Sequence, residues 1–199
     1  MRQARQERSQ TKAAQMAQAA ARLLIEEGPA AITHRRVAQE AGLAPGSGNY
    51  YFPTKRELYR AAVAGAEDLR ASSALEKASA CPPGRPEPIE MARTLLGIYF
   101  APRLDTDVVV KRLTPILHAG QDPQLQEILR THQPLLARAL NIALDKMTGG
   151  TLQDPELELL MQSMGSSLLY AAATGEQDQV AYAARSVARI LALLLPDLE

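Results

Sequence analysis

Apolar residues recur at helical spacing along most of the sequence, and this periodicity constrains the fold more than any other feature. Near the amino terminus, Met16, Ala20, Leu23 and Leu24 fall at i, i+4, i+7 and i+8, on one stripe of a helix. The alternation with β-branched residues that is typical of strands is absent. The sequence therefore predicts an all-α chain of nine helices, at residues 9–27, 34–40, 45–50, 54–79, 89–100, 106–118, 122–147, 154–175 and 178–195.

Capping residues mark several of these helix ends. Thr33 is a suitable N-cap for the second helix. Thr54 and Glu57 have the spacing of a capping box at the start of the fourth. Asp122 followed by Pro123 predicts the start of the seventh helix, because proline is favoured at the first helical position.

The net charge is zero, but the charges are unevenly distributed. Residues 1–60 contain 10 Lys and Arg against 5 Asp and Glu, whereas the remainder contains 12 against 17. A basic amino-terminal part joined to an acidic remainder indicates a polyanion-binding head on a body with another role. Four of the eight aromatic residues also lie between Tyr50 and Tyr59, where tyrosine hydroxyls and lysines could contact phosphates.

The sequence lacks the motifs that are typical of several classes of protein function. The single cysteine cannot form an internal disulfide, and the three histidines lack metal-ligand spacing, so we expect no metal and no cofactor. No P-loop, GxGxxG, GxSxG or HExxH motif occurs, which argues against an enzyme. The longest apolar run is too short to span a bilayer, and we expect a cytoplasmic protein without a membrane partner.

The second and third predicted helices, joined by a glycine turn, have the layout of a helix-turn-helix. Residues 33–43 (THRRVAQEAGL), 46–47 (GS) and 50–59 (YYFPTKRELY) resemble the DNA-binding domain of TetR-family transcriptional regulators, over about residues 11–63. The resemblance implies a nine-helix homodimer, paired through its last two helices. It also implies a pseudo-palindromic double-stranded DNA operator and a body that binds a small effector.

The resemblance further implies which residues contact DNA. We expect these contacts from residues at the start of the second helix, on the recognition helix and at the start of the fourth helix. They are Thr33, Arg35, Arg36, Pro45, Gly46, Ser47, Asn49, Tyr50, Tyr51 and Lys55.

Three positions depart from the family pattern. Ala44 replaces the usual serine cap of the recognition helix, Gly48 stands where a buried apolar residue is common, and His34 replaces an apolar residue. Loss of a cap costs about 1 kcal/mol, and a glycine within a helix costs a similar amount. The recognition helix therefore has little stability of its own.

We expect two domains: a helix-turn-helix domain at 1–53, completed by 54–63, and a ligand-binding and dimerisation domain at 54–199. Pro115 and Pro134 lie inside predicted helices, where proline causes kinks and leaves gaps that ligands can fill. For any single apolar residue, a place in the core is the better explanation. The predicted ligand site comprises Met91, Leu95, Ile98, Tyr99, Leu113, Leu117, His118, His132, Met161, Met164 and Tyr170.

The last two predicted helices are apolar on more than one face, so each needs more than one neighbour. A large monomer core is one explanation, and a two-fold dimer is the one we favour because an operator dimer needs two-fold symmetry. The predicted interface comprises Leu157, Leu160, Met161, Met164, Leu168, Val180, Ala184, Val187, Leu191 and Leu194.

Taken together, the sequence favours a homodimeric DNA-binding regulator, a repressor released by a small, mostly apolar effector. One alternative is an effector-independent or architectural DNA-binding protein. A second is a helical small-molecule-binding protein or enzyme without sequence-specific DNA binding. Loss of operator affinity on adding ligand distinguishes the effector-released repressor from an effector-independent DNA-binding protein. The absence of any sequence-specific DNA binding would identify the small-molecule-binding protein or enzyme.

Overall fold

The computed structural model describes residues 2–44, 46–105, 107, 111 and 113–196, with side chains from residue 10 onward. Within these residues the chain forms nine α-helices, one short 3-10 turn and no strand, which confirms the predicted all-α fold. The helices are α1 Arg2–Glu26, α2 His34–Glu40, α3 Gly48–Tyr51, α4 Lys55–Ala80, α5 Pro88–Tyr99, α6 Thr114–Ala119, α7 Pro123–Thr148, α8 Asp154–Ala173 and α9 Gln179–Leu194.

Three helices begin more than one residue away from the start that the sequence predicts. Helix α1 begins at Arg2 instead of residue 9, because its first residues are good helix formers that carry no apolar stripe. Helix α3 begins at Gly48, since Gly46 has a φ of 88° and is outside the helical region. Helix α6 begins at Thr114, which places Pro115 in its first turn, where a proline is tolerated. The start predicted at residue 106 lies outside the described residues.

The chain divides into two compact units. We call residues 1–69 and 110–130 the head, and residues 70–109 and 131–199 the body. The boundary falls inside α4 and inside α7, so each of these helices contributes residues to both units. The two predicted domains are defined by function, and their boundary after residue 53 stays a prediction.

The core of the head is built mainly from α1, α2 and α4. Met16 and Leu23 of α1, Val37 of α2 and Leu58 of α4 are all buried in one apolar cluster. Leu125, at the start of α7, is buried in the same cluster, so the α6–α7 corner is part of the head core.

The body packs α5, α8 and α9 against one another. Arg70 of α4 is 3% exposed there, donates to the carbonyl of Tyr99 at 2.9 Å, and lies 4.9 Å from the centroid of the Tyr99 ring. In the part of the chain that the structure describes, no helix is both long enough and apolar enough to cross a membrane.

Helices α1 and α4 approach each other closely at Gly65. A Cβ atom at this position would lie 2.9 Å from the Cβ of Ala21, so the two helices would have to separate. We expect Gly65→Ala to lower the free energy of unfolding by about 1 kcal/mol, because overpacking of ~1–3 kcal/mol outweighs the helix-propensity gain. Urea unfolding measures the change.

Gly97→Ala is the matched control. A Cβ at Gly97 of α5 would meet nothing within 4 Å, so this variant should gain up to about 1 kcal/mol of stability. Equal stability changes for the two variants would mean that the α1–α4 crossing is not tight.

Candidate DNA-binding surface

Helix α2 is capped at both ends by local hydrogen bonds, and the cap at its amino-terminal end is the one that the sequence predicts. The Thr33 hydroxyl accepts from the backbone N–H of Arg36 at 3.2 Å, which confirms the N-cap. At the other end, the N–H of Leu43 donates to the carbonyl of Ala38 at 2.9 Å across Gly42, whose φ is 66°. This is a Schellman arrangement, and its positive φ requires the glycine.

Most of the predicted DNA contacts lie on the surface of the head. Tyr50 is 71% exposed, and its ring meets that of Tyr51 edge to face at 5.1 Å. Tyr51 is only partly exposed because it also packs on the head core. Ser47 and Arg36 are half-buried, and Pro45 lies outside the described residues. The remaining predicted contacts are exposed: Thr33, Arg35, Gly46, Asn49 and Lys55.

Arg36 has carboxylate partners within the chain. Its guanidinium donates to Glu27 at 2.6 Å and to Glu40 at 3.1 Å, and these hydrogen bonds raise the pKa of Arg36. The pair with Glu27 connects α2 to the residue that follows α1, whereas the pair with Glu40 lies within α2. Arg35 is exposed, so it is more accessible to a phosphate than Arg36 is.

The start of α4 is fixed by the predicted capping box. The N–H of Thr54 donates to the Glu57 carboxylate at 2.9 Å, and the N–H of Glu57 donates to the Thr54 hydroxyl at 3.1 Å. Lys55 is the first residue of α4 and is exposed. The capping box therefore holds the backbone that carries the Lys55 ammonium group.

A buried carboxylate at the start of α7 is the main feature that the sequence did not reveal. Asp122 is 4% exposed and caps α7 by accepting from the N–H of Gln124 at 3.1 Å, as its position predicts. It also accepts from Arg60 at 2.9 and 3.0 Å and from Arg56 at 3.2 Å. Arg60 above all, together with the backbone N–H groups of Leu125 and Gln124, holds the pKa of Asp122 below its usual range although burial acts in the opposite direction.

A shallow cleft of about 330 Å³ lies beside this carboxylate, within the head. The hydroxyl of Tyr59 and Nδ1 of His118 are 3.1 Å apart on its wall, and burial raises the pKa of Tyr59 to about 12. Leu117, from the predicted ligand set, is 64% exposed and also lines the cleft. Leu113, from the same set, is buried in the head.

The other predicted ligand residues belong to the body. Met91, Leu95, Ile98, Met161 and Met164 are buried in its core. A ligand would have to displace this packing to touch them, and a ligand site among them stays a prediction.

The polar members of that body group are more accessible. Tyr99 and His132 are half-buried, and Tyr170 is exposed. The Tyr99 carbonyl and ring are both already in contact with Arg70.

The predicted dimer residues face mostly inward. Eight of the ten are buried in their own chain: Leu157, Leu160, Met161, Met164, Leu168, Ala184, Val187 and Leu191. They form the core between α8, α9 and α5, so they have no surface to offer a second copy. Val180 and Leu194 are half-buried. The apolar surface of α8 and α9 consists of other residues, Leu159, Leu169, Tyr170 and Leu193.

Comparison with known proteins identifies the helix-turn-helix. Residues 17–62, which run from α1 into α4, match the family described as bacterial regulatory proteins, tetR family. This segment is a TetR-family domain. No curated protein matches the chain.

Solved structures extend the likeness to the whole TetR-type fold. The multidrug binding protein EbrR complexed with proflavin is 23% identical, with a TM-score of 0.60, and the match covers 90% of this chain and 99% of that one. EbrR complexed with imidazole gives a TM-score of 0.58 at 23% identity, with 90% and 94% covered. A TetR-family transcriptional regulator from Mesorhizobium loti gives 0.61 at 20% identity, with 94% and 98% covered.

The buried Asp122 charge makes stability depend on pH. Because its pKa is lowered in the folded chain, the charge stabilises the fold above the usual carboxyl pKa of 3.8, and this stabilisation is lost as the pH falls through the lowered value. Asp122→Asn removes the charge but keeps a capping side chain. We expect a lower thermal midpoint than wild type at pH 7, with a difference that shrinks as the pH falls below 3.8.

Asp145→Asn, which changes an exposed aspartate of the same helix, is the control and should leave the midpoint nearly unchanged. A difference between wild type and Asp122→Asn that stayed constant with pH would contradict the electrostatic explanation.

Proposed function

We propose that the chain is a sequence-specific DNA-binding transcriptional regulator, acting as a homodimeric repressor that leaves its operator when a small effector binds. The observation that carries this proposal is the exposed face of the TetR-family domain. It presents Arg35, Asn49, Tyr50 and Lys55 on helices whose opposite sides are packed on the head core. Cations and tyrosine hydroxyls suit phosphates, and an asparagine amide can pair with the edge of adenine.

A dimer follows from the geometry of such recognition. Two copies related by a two-fold axis would read two half-sites about 34–36 Å apart, so the operator is expected to be pseudo-palindromic. On α8 and α9 the exposed Leu169, Tyr170 and Leu193 supply apolar surface, and the Tyr170 and Tyr182 rings stack at 5.9 Å. Aromatic residues are enriched at interfaces of this kind. We place the contact between copies on this outward face.

The proposal of effector control is supported by the solved structures that this chain resembles. EbrR is described as a multidrug binding protein and was solved with proflavin and with imidazole. A ligand shifts DNA affinity only if it binds two conformations of the protein differently. A coupling of ~1–3 kcal/mol would weaken DNA binding by roughly 5–150-fold.

The experiment is a genomic pull-down of bound DNA, followed by gel-shift competition on the recovered operator. Proflavin and imidazole are the first two ligands to test. Release of the operator by either one supports a gated repressor, and persistent binding in every ligand tested supports the effector-independent alternative. Recovery of no preferred sequence would overturn the proposal and leave a small-molecule-binding protein.

Lys55 should contribute to affinity without contributing to sequence preference. Lys55→Ala is expected to weaken binding to all duplexes about equally and to reduce the slope of log affinity against log salt by about one, because one phosphate contact is lost. Asn49→Ala should change the preferred sequence instead.

Arg85→Ala is the matched control, since it removes one exposed positive charge from the body. Its salt slope should equal that of the wild type. A Lys55→Ala protein with an altered sequence preference and an unchanged slope would show that the roles of Lys55 and Asn49 are reversed.

The outward face of α8 and α9 can be tested separately. Replacing Leu169 and Leu193 together by Glu should give monomers by light scattering at micromolar concentration, because charges would have to be buried at the contact. Those monomers should bind the operator weakly. Leu135→Glu, at another exposed apolar position of the body, is the control and should remain a dimer.

A wild-type protein that is monomeric at these concentrations, or a double variant that remains dimeric, would contradict this interface.

A further inference from the structure

The recognition helix α3 is a single turn with a glycine at its buried first position. A Cβ atom at Gly48 would lie 3.1 Å from the Cβ of His34 and 3.2 Å from the His34 carbonyl oxygen. Both atoms belong to the first residue of α2 and cannot move without moving that helix. Gly48 therefore allows α3 to lie closer to α2 than any other residue would.

The imidazole of His34 extends from this contact to the carboxyl end of α3. Its Nε2 lies 2.7 Å from the carbonyl oxygen of Phe52, the C-cap residue. Because a carbonyl can only accept, Nε2 must carry the hydrogen and donate it. A single side chain of α2 thus contacts both ends of the recognition helix.

Little else inside α3 could hold it in place. A helix of one turn is too short to be stable alone, and Gly48 disfavours helix further. Its N-cap, Ser47, makes no capping bond, and the Ser47 hydroxyl donates to the carbonyl of Ala44 at 2.7 Å instead. The position of α3 must therefore come from tertiary contacts, and His34 supplies the hydrogen bond at its carboxyl end.

We propose that His34 is the positioning residue of the recognition helix: packed on Gly48 and bonded to the Phe52 carbonyl, it sets where Asn49 and Tyr50 stand on the DNA-facing surface. This inference rests on the proposed function, since it assigns a role within DNA recognition. It also explains how a chain with Gly48 in α3 retains that helix. The half-buried imidazole acts through α3 and does not itself need to touch a base.

Three substitutions test the hydrogen bond. The side-chain amide of glutamine reaches about as far as Nε2, whereas that of asparagine reaches only as far as Nδ1. His34→Gln should therefore keep operator affinity within about twofold of wild type, while His34→Asn and His34→Ala should lose about tenfold. That factor corresponds to ~1.4 kcal/mol, the upper end for one net hydrogen bond.

The ratio of operator affinity to random-duplex affinity is the measurement that would not change if His34 only stabilised the fold. Affinity for random duplex comes mainly from phosphate contacts. Affinity for random duplex should stay the same in all three variants. The ratio of operator to random binding should therefore fall in His34→Asn and His34→Ala and stay near the wild-type value in His34→Gln. Thermal midpoints establish that each variant is folded, and the matched Gln and Asn variants keep the test valid if His34→Ala does not fold.

A second measurement needs no DNA. Amide hydrogen exchange at residues 49–52 of the full chain should be faster in His34→Ala and His34→Asn than in wild type and His34→Gln, because an unanchored α3 opens more often. Unchanged exchange in His34→Ala would overturn the inference whatever happens with DNA.

The two proposals fail in different ways. A wild-type protein that binds no operator would overturn the proposed function, while the exchange experiment would still decide whether His34 positions α3. If operator affinity fell equally in the Gln, Asn and Ala variants with exchange unchanged, His34 would be a direct DNA contact and the positioning role would be wrong.

Discussion

The buried carboxylate of Asp122 joins the start of α7 to α4 within the head. A carboxylate that is removed from water must be paired and hydrogen-bonded, and this one receives Arg60, Arg56 and backbone N–H groups of α7. One side chain therefore caps α7 and holds it against the first turns of α4. This is why the α6–α7 corner belongs to the same compact unit as the helix-turn-helix.

The DNA-facing part of the head depends on a second kind of constraint, close approach between helices. Helix α1 can lie on α4 because Gly65 has no side chain, and α2 can lie on α3 because Gly48 has none. Close packing of this kind fixes short helices that lack stability of their own. The hydrogen bond between His34 and the Phe52 carbonyl also restricts the position of α3 along α2, because it can form at only one such position.

The charges on this surface divide into two groups. Arg36 is held by Glu27 and Glu40, whereas Arg35 and Lys55 are exposed. A paired arginine orients helices, and an exposed cation can exchange its hydration for a phosphate. Adjacent arginines in the sequence thus have different environments, and the difference lies in which acidic residues the fold brings beside each one.

The sequence by itself determined the features that depend on neighbouring residues. Helix α2 has the predicted bounds, Thr33 and the Thr54–Glu57 pair cap as predicted, and the motif around Gly42 identified the TetR-family domain. These signals are local, because a cap or a turn involves residues three or four positions apart.

Only the tertiary structure decided which helix faces meet. It paired Asp122 with Arg60, which is 62 positions away in the sequence. It also buried Leu168 and Val187 in the core of their own chain, although their apolar pattern fitted a dimer interface equally well. Periodicity shows that a face is apolar but not what covers it. The partner of a buried charge or an apolar stripe is set by contacts between distant segments, and those exist only in the folded chain.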